Sequence, residues 1–171
     1  MNKHNAFAHY TQLLSKVDAM FAAAMSNHRD QFQCGAGCYS CCLPGLSTTN
    51  IESAYIKDWL SRHEEVREKI SSRENMLNDL HQCSMLNDRG ECSIYEARPL
   101  ICRSHGMPIS FDGDHGEERD CCPLNFVSTD LNSLSGSDVL SIDKTNMVLS
   151  VIDRAYDEEN AGQRTLIGDL V

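Results

Sequence analysis

The chain has 171 residues, about the length of one domain with a single sizeable core, and we expect one domain over residues 1–171. Its 25 Asp and Glu residues exceed its 15 Lys and Arg residues, so the formal net charge is -10. An acidic surface repels the phosphate backbone of nucleic acids, so nucleic acid binding is disfavoured. The sequence also lacks the long apolar run that a signal peptide or a membrane span requires. We therefore expect a cytoplasmic protein that binds neither nucleic acid nor membranes.

The first predicted element is an amphipathic helix over residues 5–27. Apolar side chains recur there at steps of three and four residues, which places them on one face of an α-helix. The stripe consists of Phe7, Tyr10, Leu14, Val17 and Phe21. We expect this face to pack into the core of the protein.

A cluster of cysteines follows in the stretch CGAGCYSCC, which contains Cys34, Cys38, Cys41 and Cys42. The sequence holds nine cysteines and no predicted export signal, so we expect a reducing compartment. Thiol clusters in such compartments bind metals or carry out redox chemistry more often than they form structural disulfides. A disulfide framework is the alternative if the chain is exported.

Residues 50–81 form the second predicted helical segment. Thr49 and Glu52 have the spacing of a capping box, in which each side chain satisfies a backbone amide at the start of a helix. Ser61 and Glu64 repeat that spacing. The charged residues that follow predict a solvated helix face.

Residues 83–122 have no apolar periodicity and are rich in turn-forming residues. We therefore expect loops that need an internal cross-link to be stable. Five further cysteines lie in this segment: Cys83, Cys92, Cys102, Cys121 and Cys122. Helical periodicity returns over residues 143–158, where a third helix is predicted. The predicted fold is mainly α: a small helical domain whose middle segment, residues 34–122, is loop-rich and binds metal.

All nine cysteines are candidate metal ligands, and eight of them suffice for two four-thiolate sites. Zinc and iron are the metals that such tetrahedral sulfur sites hold. Neighbouring side chains of an extended chain point to opposite sides, so we expect Cys41 and Cys42 to diverge. We therefore expect each ligand set to join cysteines of the CGAGCYSCC stretch to cysteines of residues 83–122.

Other candidate sites have weaker support. The CxxxCxxC spacing also occurs in radical S-adenosylmethionine enzymes, but their loop follows the first strand of a large barrel, whereas a helix precedes it here. Asp112 and Asp114 indicate calcium, yet the segment lacks the loop length and terminal glutamate of a calcium loop, so we expect a polar turn. His81, His105 and His115 are expected at the surface.

A second motif points to a family. The stretch GECSIYEARPLICRSHG fits the pattern GxCxIYExRPxxCRxxG through Gly90, Cys92, Ile94, Tyr95, Glu96, Arg98, Pro99, Cys102, Arg103 and Gly106. Together with the upstream CxxxCxxCC cluster, it resembles the YkgJ-type cysteine-cluster family over about residues 34–122. Two features depart from the family pattern: Ser84 stands where proline is common, and the last cysteine is doubled.

The resemblance implies a protein that chelates zinc or iron, and some family members are described as iron-sulfur oxidoreductases. Three hypotheses stay open: a structural metal-binding module with a protein partner, an iron-sulfur electron-transfer protein, and an enzyme with an open metal position. No catalytic constellation is evident in the sequence, so an oxidoreductase is implied by the resemblance alone. Arg98 and Arg103 are expected either to hydrogen-bond to cysteine sulfurs or to pair with Glu91 or Glu96.

Overall fold

The computed structural model describes residues 3–35, 37–74 and 82–171 of the chain. Five α-helices lie in these segments: α1 (Lys3–Asn27), α2 (Asn50–Ser61), α3 (Glu64–Glu74), α4 (Leu100–Ser104) and α5 (Ile142–Tyr156). Five strands accompany them: β1 (Ser47–Thr48), β2 (Ile109–Gly113), β3 (Gly116–Asp120), β4 (Leu140–Ser141) and β5 (Thr165–Leu166). About half of the described residues are helical, and the strands are short. None of its helices combines the length and the apolar character that a membrane crossing requires.

The chain divides into two compact units, each built from separated segments. The first unit comprises Met1–Phe7, Ala36–Pro99 and Asp153–Val171. The second unit comprises Ala8–Gly35 and Leu100–Ile152. The expectation of one domain over residues 1–171 stays a prediction.

The predicted helices are present with changed bounds. The helix expected over residues 5–27 is α1, and the one expected over 143–158 is α5. The segment expected to be helical over 50–81 contains two helices, α2 and α3, and its last residues, 75–81, lie outside the described chain.

The start of α2 shows why a local motif is readable from sequence. The backbone amide of Thr49 donates to Glu52 Oε2 at 2.8 Å, and the reciprocal bond to the Thr49 side chain completes the capping box. The matching prediction at Ser61 and Glu64 is wrong. Ser61 is the last residue of α2, and its hydroxyl donates to the carbonyl oxygen of Asp58 at 2.7 Å instead of capping α3.

The segment expected to be loop-rich contains a β-hairpin. β2 and β3 pair antiparallel from Ile109 opposite Asp120 to Gly113 opposite Gly116, and β4 pairs parallel with β2. The polar turn expected around Asp114 is therefore the end of a hairpin. The sequence hides it because β3, with the sequence GEERD, is largely exposed and shows no apolar alternation.

The first unit is organised around α2 and a two-stranded sheet. β1 pairs antiparallel with β5, and the buried side chains Ile51, Ile56 and Leu60 line α2. The carboxylate of Asp153, only 1% exposed, accepts the backbone amides of Ile51 and Gly162, each at 2.8 Å. This one side chain ties the start of α2 to the C-terminal segment.

The second unit has an aromatic cluster next to the end of α1. The rings of Phe32 and Phe126 meet edge to face with centroids 5.1 Å apart, and Phe21 contacts Phe32 at 5.6 Å. Asp138 accepts a hydrogen bond from the Asn27 amide at 2.8 Å and lies 3.1 Å from Nε2 of His28. These contacts hold the chain just before Cys34 to the later part of the unit.

We expect Asp153→Ala to lower the free energy of unfolding by about 2–4 kcal/mol, because the buried amide of Ile51 and the amide of Gly162 lose a charged acceptor. Urea denaturation followed by circular dichroism measures this. The control is Asp58→Ala, which removes an exposed ion pair with Arg62 and should cost no more than about 0.5 kcal/mol. Equal effects of the two changes would contradict the structural role of Asp153.

Candidate metal centre

The fold sorts the nine cysteines into two groups. All nine lie in the described chain, and none forms a disulfide. Five lie in the first unit: Cys38, Cys41, Cys42, Cys83 and Cys92. Four lie in the second unit: Cys34, Cys102, Cys121 and Cys122. Cys38 is exposed, and the other eight are half-buried.

A tight turn shapes the cysteine pair of the first unit. The amide of Cys42 donates to the carbonyl of Tyr39 at 2.9 Å, and that of Leu43 donates to the carbonyl of Cys41 at 3.0 Å. The side chains of Cys41 and Cys42 hydrogen-bond to each other. The prediction that they diverge is wrong, because it assumed an extended chain and the pair lies in a turn.

A short loop brings two later cysteines to this turn. The amide of Cys83 donates to the carbonyl of Cys42 at 2.9 Å, and Leu86 forms an isolated bridge with Cys92. Gly90 lies in the loop between Cys83 and Cys92 with φ +72°, and a Cβ there would come within 2.7 Å of the Tyr39 ring. The loop therefore needs glycine for both its backbone conformation and its close approach to Tyr39.

The thiols of the first unit affect each other electrostatically. The hydrogen bond with Cys41, burial and the charge of Cys41 raise the pKa of the Cys42 thiol above its ordinary value. The charges of Cys83 and Cys92 raise the same pKa further. Burial also raises the pKa values of Cys83 and Cys92 themselves, and for Cys92 the nearby Arg98 acts in the opposite direction. Cys42 thus has three thiol neighbours, two of them from a distant part of the sequence.

The second unit brings Cys34 to the doubled cysteines. Burial raises the pKa of Cys121 to about 12, against the effect of the backbone amide of Cys122. The charges of Cys122, Cys34 and Asp120 raise it as well. Cys34 therefore lies close to Cys121, which is far from it in the sequence.

An asparagine holds the Cys34 sulfur in place. Nδ2 of Asn125 donates to Cys34 Sγ at 3.2 Å and to the carbonyl of Gly106 at 2.7 Å. The thiol of Cys121 donates to the same carbonyl at 3.3 Å. Gly106 has φ +93°, and a Cβ there would come within 2.6 Å of the Cys34 sulfur. Sequence reasoning missed Asn125, whose only signal is a polar residue three positions after Cys122.

The charged residues near the motifs contact acidic and aromatic side chains, and a bond from Arg98 or Arg103 to cysteine sulfur stays a prediction. Arg103 pairs with Asp18 at 2.6 Å, and Arg89 pairs with Glu91 at 3.2 Å. The guanidinium of Arg98 lies over the Tyr95 ring, 3.7 Å from its centroid. Tyr95 is 61% exposed, so this contact lies at the surface. His105 and His115 are exposed as predicted, and His81 lies outside the described residues.

The donor chemistry of the two groups fits zinc or iron. Both metals take soft thiolate sulfur, and each unit supplies at least the four donors of a tetrahedral site. Within residues 3–35, 37–74 and 82–171, no group of three or more His, Cys, Asp or Glu side chains is arranged to hold an ion.

A comparison with family models places these cysteines in a known group. The model CxxCxxCC, described as a "Putative zinc- or iron-chelating domain", matches residues 33–123, just over half of the chain. The chain belongs to this family. The match confirms the family resemblance of the sequence motifs, and all nine cysteines of this CxxCxxCC protein lie inside the matched range. Searches of the curated proteins and of the solved structures gave no match.

We expect Gly106→Ala to destabilise the protein by about 1–3 kcal/mol more than Gly116→Ala, because the added methyl group meets the Cys34 sulfur. Gly116 is the matched control: its φ is +112° but no atom lies within 4 Å of the added Cβ, so it carries the backbone strain without the collision. Thermal and urea denaturation of both variants measure the difference. Equal stabilities would show that the contact with Cys34 is unimportant.

Proposed function

We propose that this protein binds zinc or iron through two four-thiolate sites, one in each unit. The first site consists of Cys41, Cys42, Cys83 and Cys92. The second site consists of Cys34, Cys102, Cys121 and Cys122. The observation that carries the proposal is that sequence-distant thiols are neighbours, Cys42 with Cys83 and Cys92, and Cys34 with Cys121.

The electrostatics of the thiols support a cation. Cys42 and Cys121 resist ionisation, because a hydrogen bond with Cys41 for Cys42, burial for both, and the charges of neighbouring cysteines raise their pKa values. A divalent ion reverses that repulsion and replaces the thiol protons, which is how thiolate sites couple metal binding to folding. A reducing compartment such as the cytoplasm keeps the thiols available for this role.

Cys38 is not one of the four ligands of the first site. The first unit supplies five thiols, whereas a tetrahedral ion takes four, and the thiol neighbours of Cys42 are Cys41, Cys83 and Cys92. Cys38 is the exposed fifth thiol. We assign it as a ligand that can replace one of the four during metal exchange.

The proposed ions have a structural role. The loop that carries Cys83 and Cys92 is held by a few backbone bonds, such as those from Asn87 to Glu91 and from Ser93 to Met85, each 2.8 Å long. A metal that joins this loop to the Cys41–Cys42 turn adds a cross-link where regular secondary structure is short. The metal is then part of the folded state, and the flanking helices α1 and α5 depend on it less.

An iron-sulfur electron-transfer protein is the second candidate. The amide hydrogen bond from Asn125 to the Cys34 sulfur favours it, because hydrogen bonds to cysteine sulfur are one of the determinants of cluster potential. Visible absorption of protein purified without oxygen distinguishes the candidates. A brown protein with bands that bleach on reduction supports the cluster, and a colourless protein that contains zinc supports the structural sites.

We expect anaerobically purified protein to contain two equivalents of zinc plus iron per chain. Cys42→Ser and Cys121→Ser should each lose one equivalent, because each removes one ligand from a different site. Cys38→Ser is the matched control and should retain two. Elemental analysis and native mass spectrometry measure these contents.

Less than one equivalent in the unmodified protein, with all nine thiols reduced, would refute metal binding. Loss of both equivalents in either single variant would contradict two separate sites and favour one shared centre.

We also expect a chelator to increase amide hydrogen exchange in residues 83–122 more than in α1, because removing the ion removes the cross-link of that segment. Mass spectrometry of peptides before and after chelation measures this. Unchanged exchange after complete metal removal would show that the ions do not support the fold.

A further inference from the structure

Asn125 of the second unit is a polar side chain that sits beside a thiol and is almost completely buried. We propose that Asn125 is a positioning residue of the second metal site, where its side-chain amide donates a hydrogen bond to the metal-bound sulfur of Cys34. This inference rests on the proposed function, because it assigns a role towards an ion at the Cys34 site. The side chain is 3% exposed, so its polar atoms are satisfied by the protein.

The hydrogen-bond network fixes the orientation of the amide. Oδ1 of Asn125 accepts the backbone amide of Gln33 at 2.8 Å, so the opposite end of the group must be the nitrogen. Nδ2 has two hydrogens and two acceptors, the carbonyl of Gly106 at 2.7 Å and the sulfur of Cys34 at 3.2 Å. One of the two Nδ2 hydrogens of this buried side chain is therefore bonded to the sulfur of Cys34, a candidate metal ligand.

The backbone around Asn125 holds the donor rigidly. Its own amide donates to the carbonyl of Cys122 at 2.8 Å, which closes the turn after the doubled cysteines. The next residue, Phe126, donates its amide to Gln31 at 3.0 Å and buries its ring against Phe32. The donor is thus anchored on both sides of the residue, as precise positioning requires.

The contact between Asn125 and Cys34 requires glycine at position 106. A Cβ at this position would come within 2.6 Å of the Cys34 sulfur and within 3.2 Å of Asn125 Nδ2. Only glycine leaves both atoms where they are. The carbonyl of the same residue accepts both the Asn125 amide at 2.7 Å and the Cys121 thiol at 3.3 Å.

A hydrogen bond of this kind changes the metal site through the sulfur. An N–H donor orients the ligand and stabilises its negative charge, and the loss of such partners typically lowers metal affinity by about 10- to 100-fold. We therefore expect Asn125→Asp to release the ion of the second site about 10- to 100-fold faster, and the first site to be unaffected. Aspartate keeps the acceptor for Gln33, loses the N–H donors to Cys34 and to the Gly106 carbonyl, and adds a negative charge that also weakens the thiolate site.

The test uses the full chain loaded anaerobically with two equivalents of ¹¹³Cd. In the unmodified protein, NMR should show a scalar coupling between a side-chain amide proton of Asn125 and one of the two ¹¹³Cd nuclei. In Asn125→Asp, that ¹¹³Cd resonance alone should shift, and its ion should pass to a chelator faster. The coupling is measured without any substitution, so it tests the inference even if the variant folds poorly.

Asp138→Asn is the control for general destabilisation. It removes the charge from another hydrogen-bonded contact of the same unit, that of Asp138 with Asn27 and His28. It should lower the melting temperature and leave both ¹¹³Cd resonances and release rates unchanged. Equal release from Asp138→Asn and Asn125→Asp, or absence of the coupling in loaded protein, would overturn the positioning role while the metal sites stand. Unmodified protein that holds no ¹¹³Cd would instead refute the proposed function and this inference with it.

Discussion

Repulsion between crowded, half-buried thiols is the constraint on which the metal-binding account depends. Cys42 lies among three other thiols, and Cys121 lies beside two. A side-chain hydrogen bond, burial and the neighbouring thiols raise the pKa of Cys42, and burial and the neighbouring thiols raise that of Cys121, so both favour the protonated form until a cation arrives. Eight thiolates and two divalent ions would add about -4 to a chain whose formal charge is already -10. Donors such as the Asn125 amide and the nearby Arg98 reduce the cost of that charge.

Glycines and tight turns make the crowding possible. Gly90 lets a loop approach the Tyr39 ring, and Gly106 leaves room for the Cys34 sulfur. Neither position tolerates a Cβ without displacing a neighbour. These close approaches bring cysteine sulfur to loops with little regular secondary structure, and the proposed ions would cross-link those loops.

Local features of the fold were predictable, and features set by tertiary contacts were not. The capping box at Thr49 and Glu52 depends on residues three apart, and the apolar stripe of α1 depends on a single helix face, so both follow from sequence. The hairpin of β2 and β3 did not, because exposed polar strands lack a periodic signal. The same limit applies to Ser61 at the end of α2. Its spacing to Glu64 predicted a helix cap, but its hydroxyl donates to the backbone carbonyl of Asp58 instead.

The candidate site also has features that the sequence predicts and features that only the three-dimensional structure shows. The motifs CxxxCxxCC and GxCxIYExRPxxCRxxG indicate the family and the nine thiols, and the family match covers them all. The grouping of those thiols depends on the path of the chain, which assigns Cys34 to the second unit and Cys38 to the first. Asn125 lies outside both motifs, and its relation to Cys34 is visible only in three dimensions.

X-ray absorption at the zinc and iron edges of the anaerobically purified protein tests the central claim most directly, because it reports the atoms bound to the metal. The account predicts a first shell of four sulfur atoms at about 2.3 Å for every ion in the protein. A shell of oxygen and nitrogen, or no metal signal from fully reduced protein, would contradict the assignment of the two thiol groups as the metal sites.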